Sequence, residues 1–70
     1  MKILVTGAAG YIGKQLVEYL HQQNKHEIMA CDIREDNPFI HLPKVLYSKM
    51  DIRSEEVLTE MQKRQVDVVV

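Results

Sequence analysis

Three glycines at a regular spacing, Gly7, Gly10 and Gly13, lie near the amino terminus of this chain. The apolar run Ile3 to Val5 comes shortly before them, and an apolar pattern of helical period follows. This order predicts a strand, a tight turn and a helix, which places the backbone N–H groups of the turn at a helix amino terminus. Such a terminus has unpaired donors and a partial positive charge, so it is suited to bind a phosphate group.

Each glycine has a separate expected role in this turn. Gly7 allows the tight turn off the strand, Gly10 lets a pyrophosphate approach the backbone, and Gly13 lets the helix pack closely on the strand. Tyr11 lies in the same turn, and its backbone N–H is a further candidate donor to a phosphate. Two interpretations of its ring stay open, namely packing beside a bound cofactor and a purely structural role.

A P-loop is the nearest alternative, because Gly13 and Lys14 resemble the end of that motif. It is excluded on two counts. Five residues separate Gly7 from Gly13 where the P-loop has four, and Gln15 occupies the position of the hydroxyl that binds magnesium. The spacing also differs from the standard dinucleotide fingerprint, which has one residue between its first two glycines rather than two.

An acidic residue, Asp32, follows the second apolar run and lies nineteen positions after Gly13. About 20 positions is the distance expected for a carboxylate that binds the adenosine ribose. A carboxylate there accepts hydrogen bonds from the ribose hydroxyls and repels a 2′-phosphate, which favours NAD over NADP. Arg34 lies two residues later and is able to pair with a 2′-phosphate, so tolerance of NADP stays open. The alternative role for Asp32 is that of an ordinary turn residue.

The stretch from Thr6 to Gly13 resembles the T-G-x-x-G-x-x-G signature of the extended short-chain dehydrogenase/reductases, the NAD-dependent epimerase/dehydratase family. Cys31-Asp32 resembles the acidic end of that family's second strand, and Met50-Asp51-Ile52 resembles the Asp-Ile/Leu pair that lies against the adenine. The likeness covers essentially the whole chain and implies NAD as the cofactor. The candidate cofactor-binding residues are Gly7, Gly10, Tyr11, Ile12, Gly13, Asp32, Ile33, Asp51 and Ile52.

The family's catalytic pair, a Tyr with a Lys four residues later, has no counterpart in this sequence. The residues four positions after the three tyrosines are Gln15, Gln23 and Asp51. We therefore expect no catalytic residue here. The resemblance implies hydride chemistry on a sugar nucleotide or a similar small molecule, with catalytic residues beyond Val70. A non-catalytic dinucleotide-binding regulator or assembly protein of the same fold is the alternative.

The apolar pattern alternates between strand and helix along the chain. It predicts four strands, at Lys2 to Thr6, His26 to Asp32, Lys44 to Met50 and Val66 to Val70. It predicts two helices, one at about Tyr11 to Gln23 and one that is capped by Ser54 and closed by Gln65. The stretch from Arg34 to Pro43 is polar and contains two prolines, which indicates a loop.

Certain apolar side chains should form the buried faces of these helices: Ile12, Leu16, Val17 and Leu20 in the first, and Val57, Leu58 and Met61 in the second. The alternation of elements predicts an α/β fold, a Rossmann-like parallel sheet in the order 3-2-1-4 with flanking helices. In that order, Asp32 and Asp51 lie at the same sheet edge as the glycine loop.

Seventy residues form only a marginal core, and a complete dinucleotide-binding fold has two such halves. We therefore expect residues 1–70 to be the first half of an NAD-binding Rossmann domain. Val66 to Val70 should then be an exposed edge strand, because its neighbouring strand is absent. The isolated polypeptide should self-associate, be partly disordered or belong to something longer, and should show no turnover. The longer protein is expected to be a homo-oligomer.

Composition excludes several other classes of protein. The net charge of −1 gives no basic field for nucleic acid, and no apolar run reaches the length of a membrane span. The single cysteine cannot form an internal disulfide, which favours the reducing cytoplasm and a buried role for Cys31. The three histidines have no metal-ligand spacing, so no metal site is expected.

Overall fold

The order of strands and helices along the chain is the one that the hydrophobic pattern predicts. The computed structural model describes residues 1–70, the whole of the chain. The elements are β1 (Lys2–Thr6), α1 (Tyr11–Gln23), β2 (Glu27–Asp32), β3 (Val45–Lys49), α2 (Glu55–Arg64) and β4 (Val68–Val69). No helix has the combination of length and apolar character that crossing a membrane requires.

The four strands form one parallel sheet in the order β3-β2-β1-β4. This is the strand order predicted for a Rossmann-like fold, and the prediction is confirmed. Because all four strands run in the same direction, their carboxyl ends meet at one edge of the sheet. The glycine loop after β1, Asp32 at the end of β2 and the turn after β3 therefore lie along one edge, where open parallel sheets bind ligands.

Side chains that alternate along the strands form two separate apolar clusters, one on each face of the sheet. On the α1 face, Ile3 and Val5 pack with the completely buried Val17 of the helix. On the opposite face, Leu4 packs with Cys31 and with Val57 of α2. Each face of the sheet thus packs against one helix.

Two residues that were predicted to face the core are exposed instead. Ile12 is 78% exposed and Leu58 is 61% exposed. Successive residues of a helix are rotated by about 100°. On α1 the buried row runs through Gly13 and Leu20, so Ile12 lies about one such step outside it. On α2 the buried row is centred near Val57, and Leu58 is displaced by the same rotation.

The connection from β2 to β3 contains no helix or strand, as predicted, yet it contributes a core residue that its polar composition does not indicate. Phe39 is only 1% exposed and belongs to the cluster on the α1 face. Its backbone N–H donates to Asn37 Oδ1 at 2.8 Å, which holds the turn that directs the ring inward. The ring also packs against Tyr47, with ring centroids 6.2 Å apart.

We expect the Phe39→Leu substitution to lower the free energy of unfolding by about 1 kcal/mol, because leucine fills the buried site less completely. Urea denaturation followed by circular dichroism measures the change. Ile40→Leu is the matched control, since the neighbouring Ile40 is exposed and its replacement should have almost no effect. Equal effects of the two substitutions would show that the loop contributes nothing to the core.

The fourth strand is shorter than the predicted Val66 to Val70. Gln65 ends α2 in the left-handed conformation, with φ of 57°, and the Val66 N–H donates to the Met61 carbonyl at 3.2 Å. Val66 therefore closes the helix and packs beneath it rather than pairing with β1. Backbone bonds to β1 begin at Asp67 and continue to Val70. The strand lies at the edge of the sheet, as predicted.

Ser54 occupies the predicted cap position before α2, but its hydroxyl makes no capping hydrogen bond. The first turn of α2 instead contains Glu55 and Glu56, whose negative charges complement the helix dipole. The Ser54 Oγ atom is buried without a hydrogen-bond partner.

Candidate dinucleotide-binding site

The loop after β1 makes its tight turn at Gly7, which has a positive φ of 61°. Only glycine adopts this conformation without steric cost, so the turn explains the residue type. The Gly10 N–H donates to the Gly7 carbonyl at 3.1 Å and closes the turn. The N–H of Ala8, the residue after Gly7, donates to the Cys31 carbonyl at 3.0 Å, which joins the loop to the end of β2.

Gly13 allows close packing between the start of α1 and the loop. A Cβ atom at this position would lie 2.8 Å from the Ala8 Cα atom and would also overlap the Gly7 carbonyl oxygen. Both neighbours are backbone atoms, so neither is able to move aside easily. The sequence-based role for Gly13, close packing of the helix, agrees with this geometry.

The backbone conformation at Gly10 does not require glycine, and packing inside the chain restricts a side chain there at one point only. Its φ of −75° and ψ of 170° are open to any residue. A Cβ atom there would have one near neighbour, the Gly7 carbonyl oxygen at 3.3 Å. Gly10 is also exposed. The absent side chain therefore leaves open surface over the loop, of the kind that a pyrophosphate approaches.

The first turn of α1 presents three backbone N–H groups that have no acceptor within the chain, those of Tyr11, Ile12 and Gly13. The next N–H, of Lys14, bonds to the Gly10 carbonyl at 2.9 Å. The helix has no side-chain cap and no acidic residue in its first turn. Unpaired donors at the positive end of a helix dipole fit a phosphate group.

The Asp32 carboxylate lies between the glycine loop and the end of β2. Its Oδ2 atom accepts from the Ala9 N–H at 2.9 Å, and its Oδ1 atom accepts from the Ile33 N–H at 2.7 Å. Each carboxylate oxygen has two acceptor positions, so both retain capacity for a further donor such as a ribose hydroxyl. The contact with Ala9 is a feature that the sequence spacing did not predict.

Cys31, beside this carboxylate, is buried and free. Burial raises the pKa of its thiol, and the neighbouring Asp32 charge raises it further. A raised pKa keeps the thiol protonated, so the residue behaves as a small apolar side chain. The sequence-based interpretation of Cys31 as a core residue agrees with this position.

A second carboxylate, Asp51, follows β3 and is paired with Arg53. The Arg53 side chain donates to Oδ2 at 2.9 Å and to Oδ1 at 3.2 Å, while the Arg53 backbone N–H donates to Oδ1 at 2.9 Å. The side-chain hydrogen bonds, and then the backbone one, hold the pKa of the Asp51 carboxyl below its usual value. Asp51 is therefore ionised at neutral pH and able to accept further donors.

Asp51 forms part of an open cleft of about 410 Å³, which we name the Asp51 cleft. Its lining consists of Ile33, Lys49, Met50, Asp51, Ser54 and Glu56. Two predicted site residues, Ile33 and Asp51, therefore come together here, whereas Ile52 is exposed and outside the lining. Ser54 also lines this cleft, a position that its sequence pattern, which indicated only a helix cap, did not predict.

Arg34, the residue that left NADP tolerance open, is exposed, and its guanidinium makes no ion pair or hydrogen bond. Its carbonyl accepts a 2.6 Å hydrogen bond from the Tyr47 hydroxyl. Burial, followed by the charge of Asp32, raises the pKa of Tyr47, so the hydroxyl stays protonated as a donor. The backbone at Arg34 is thus held in place while its side chain remains free.

The fold and the loop define a dinucleotide-binding Rossmann-like protein. The family model for the NAD dependent epimerase/dehydratase family matches residues 3–70. The chain therefore belongs to this family, and the resemblance seen in the sequence is confirmed. Membership in an NAD-dependent family also confirms the predicted cofactor.

Individual relatives agree with this assignment. A putative UDP-glucose 4-epimerase from Methanocaldococcus jannaschii is 32% identical over 97% of this chain and 22% of its own length. An uncharacterized UDP-glucose epimerase from Bacillus subtilis, YtcB, is 56% identical over 46% of this chain and 10% of its own length.

Among solved structures, dTDP-glucose 4,6-dehydratase from Bacillus anthracis in complex with NAD superposes with a TM-score of 0.83. It is 29% identical, and the match covers 99% of this chain and 25% of the dehydratase. The serine dehydrogenase of Escherichia coli, at 22% identity and a TM-score of 0.76, shares the fold. The chain spans a quarter or less of the epimerases and the dehydratase that it matches.

Proposed function

We propose that residues 1–70 are the NAD-binding part of a sugar-nucleotide epimerase or dehydratase whose catalytic residues lie outside this segment. The observation that carries the proposal is the set of three unpaired N–H groups at the start of α1, at the same sheet edge as the Asp32 carboxylate. The N–H groups are able to donate to a phosphate, and the carboxylate is able to accept from the hydroxyls of a ribose.

The pyrophosphate, the adenosine ribose and the adenine each have a counterpart among the residues of this edge. The N–H groups of Tyr11, Ile12 and Gly13 bind the pyrophosphate over the open surface at Gly10. Asp32 accepts hydrogen bonds from the adenosine ribose. The residues of the Asp51 cleft, including Ile33 and Asp51, hold the adenine, with Ile52 at its exposed side. NAD, when bound, supplies the hydride acceptor.

Support for the substrate class comes from the relatives, whose names describe UDP-glucose epimerases, a UDP-glucuronic acid decarboxylase and a dTDP-glucose dehydratase. We accordingly assign the complete protein a sugar nucleotide as its small-molecule substrate. We further propose that it is a homo-oligomer and that it works in the reducing cytoplasm that a single free cysteine favours.

The test of this function uses the full-length protein with NAD and a panel of UDP- and dTDP-hexoses, with products identified by NMR. We expect epimerisation or dehydration of at least one of them. The sequence after Val70 provides the second readout, because a Tyr-x-x-x-Lys there supports the enzyme. A protein that binds NAD but lacks both turnover and that motif would instead be a dinucleotide-binding regulator.

We expect the full-length protein to bind NAD about tenfold or more tightly than NADP, a difference of ~1.4 kcal/mol. The reason is that Asp32 places a negative charge beside the position of a 2′-phosphate. Titration calorimetry with both dinucleotides measures the ratio. Asp32→Ala should reduce the ratio, and Arg34→Ala should increase it if the free guanidinium pairs with a 2′-phosphate. Equal affinities in the unmutated protein would contradict the assigned role of Asp32.

A further inference from the structure

The Asp32 carboxylate contacts two separate parts of the candidate site at once. One oxygen accepts from Ala9 in the glycine loop at 2.9 Å, and the other accepts from Ile33 after β2 at 2.7 Å. No other side chain accepts a hydrogen bond from the backbone between Gly7 and Gly13. Asp32 is therefore the one side chain that is hydrogen-bonded to the backbone of the loop, beside the backbone bond from Ala8 to Cys31, and it is also the candidate ribose ligand.

The hydrogen bond from Ala9 to Asp32 holds a buried part of the loop that directly precedes the unpaired N–H groups of α1. Ala9 is buried, and the preceding Ala8 N–H bonds to the Cys31 carbonyl at 3.0 Å. Loss of the Asp32 acceptor would leave a buried backbone donor unpaired, which is unfavourable, so the loop would shift to satisfy it. The unpaired N–H groups begin two residues later, at Tyr11, so any such shift moves the phosphate-binding donors.

We propose that Asp32 is a positioning residue for the pyrophosphate half of the site, in addition to its contact with the ribose. Its bond to Ala9 holds the glycine loop in the conformation that directs the α1 N–H groups toward a phosphate. One carboxylate thereby couples the adenosine half of the cofactor to the phosphate half. This inference rests on the proposed NAD site and extends it.

If Asp32 acted on the phosphate only through its charge, its replacement would have the opposite effect from the loss of the loop contact. A carboxylate near a phosphate repels it, so removal of the charge alone would strengthen the binding of a phosphate ligand. A role limited to the ribose would leave unchanged the affinity for a ligand that lacks the adenosine ribose. Only the positioning role predicts that such a ligand binds more weakly after Asp32 is replaced.

Nicotinamide mononucleotide is a suitable probe, because it carries a phosphate and lacks the adenosine half. We expect Asp32→Ala to weaken its binding to the full-length protein by about tenfold, the effect of one charge-assisted hydrogen bond. Asp32→Asn keeps an oxygen that is able to accept from the Ala9 N–H. Its affinity for nicotinamide mononucleotide should therefore lie between those of the unmutated protein and Asp32→Ala. Asp36→Asn is the matched control, because it removes one nearby exposed carboxylate that has no bond to the loop, and it should leave binding unchanged or slightly tighter.

Amide hydrogen exchange of Ala9 in the absence of any ligand gives an independent measurement. In the full-length protein we expect exchange at Ala9 to be about tenfold faster in Asp32→Ala than in the unmutated protein, and Asp32→Asn to show a smaller increase. If Asp32→Ala does not fold, Asp32→Asn provides both measurements. Unchanged affinity for nicotinamide mononucleotide together with unchanged Ala9 exchange overturns the positioning role. Failure of the unmutated protein to bind NAD overturns the proposed function instead, and the exchange measurement still decides the role of Asp32 in holding the loop.

Discussion

Replacement of Gly10 with valine is expected to eliminate measurable NAD binding, a loss of at least about a hundredfold, or ~2.7 kcal/mol. The φ and ψ of Gly10 suit any residue, and a Cβ atom would meet only the Gly7 carbonyl oxygen at 3.3 Å. The branched side chain would therefore occupy the open surface where we place the pyrophosphate rather than disturb the core. Titration calorimetry with NAD measures the loss.

The fold of the Gly10→Val protein should persist, with a circular dichroism spectrum close to that of the unmutated protein. Gln15→Val is the matched control, because it introduces the same side chain at an exposed position on α1. Its NAD affinity should be unchanged. Retained affinity in Gly10→Val would mean that the pyrophosphate does not pass over this glycine, and the placement of the cofactor on the loop would be wrong.

Gly10→Val should lose NAD binding and keep its fold. Gly13→Ala, by contrast, should lose much of its stability. Alanine in a helix is favoured over glycine by about 1 kcal/mol. The added Cβ atom, however, would lie 2.8 Å from Ala8 Cα and overlap the Gly7 carbonyl oxygen. Steric overlap with backbone outweighs the helix propensity, and we expect the free energy of unfolding to fall by about 2–3 kcal/mol.

Urea denaturation measures this change, with Lys14→Ala as the control, since Lys14 is exposed on the same helical turn. The control should change stability by less than about 0.5 kcal/mol. A Gly13→Ala protein as stable as the unmutated one would show that the loop and α1 are able to separate without cost. The two glycine substitutions together separate the binding role of Gly10 from the packing role of Gly13.

Local patterns in the sequence were sufficient to predict the sheet, its strand order and the glycine turn. Strand periods separated by long connections, two of them helical, predict a parallel sheet, because parallel strands are joined by long crossovers that are nearly always right-handed. The distance from Gly13 to Asp32 similarly reflects the length of one helix and one strand. These features follow from local residue patterns together with general rules for how parallel strands are connected.

Predictions failed for features that depend on contacts between residues far apart in the sequence. Phe39 is a single aromatic residue in a polar loop, and only the folded chain brings it beneath Tyr47. Ile12 was assigned to the core because periodicity counts apolar side chains, whereas the buried row passes through Gly13, which has no side chain to count. The bond from Asp32 to Ala9 joins a side chain to a backbone group, and no spacing of residue types indicates such a contact.

The most direct test of the NAD site is hydrogen exchange of the full-length protein, measured by mass spectrometry with and without saturating NAD. We predict slower exchange in residues 10–14, where the unpaired N–H groups of α1 would bind the pyrophosphate, and in residues 31–34 around Asp32. The turn at residues 23–27, at the opposite edge of the sheet, is the internal reference and should be unchanged. Saturating NAD that leaves exchange in residues 10–14 unaltered would contradict the account.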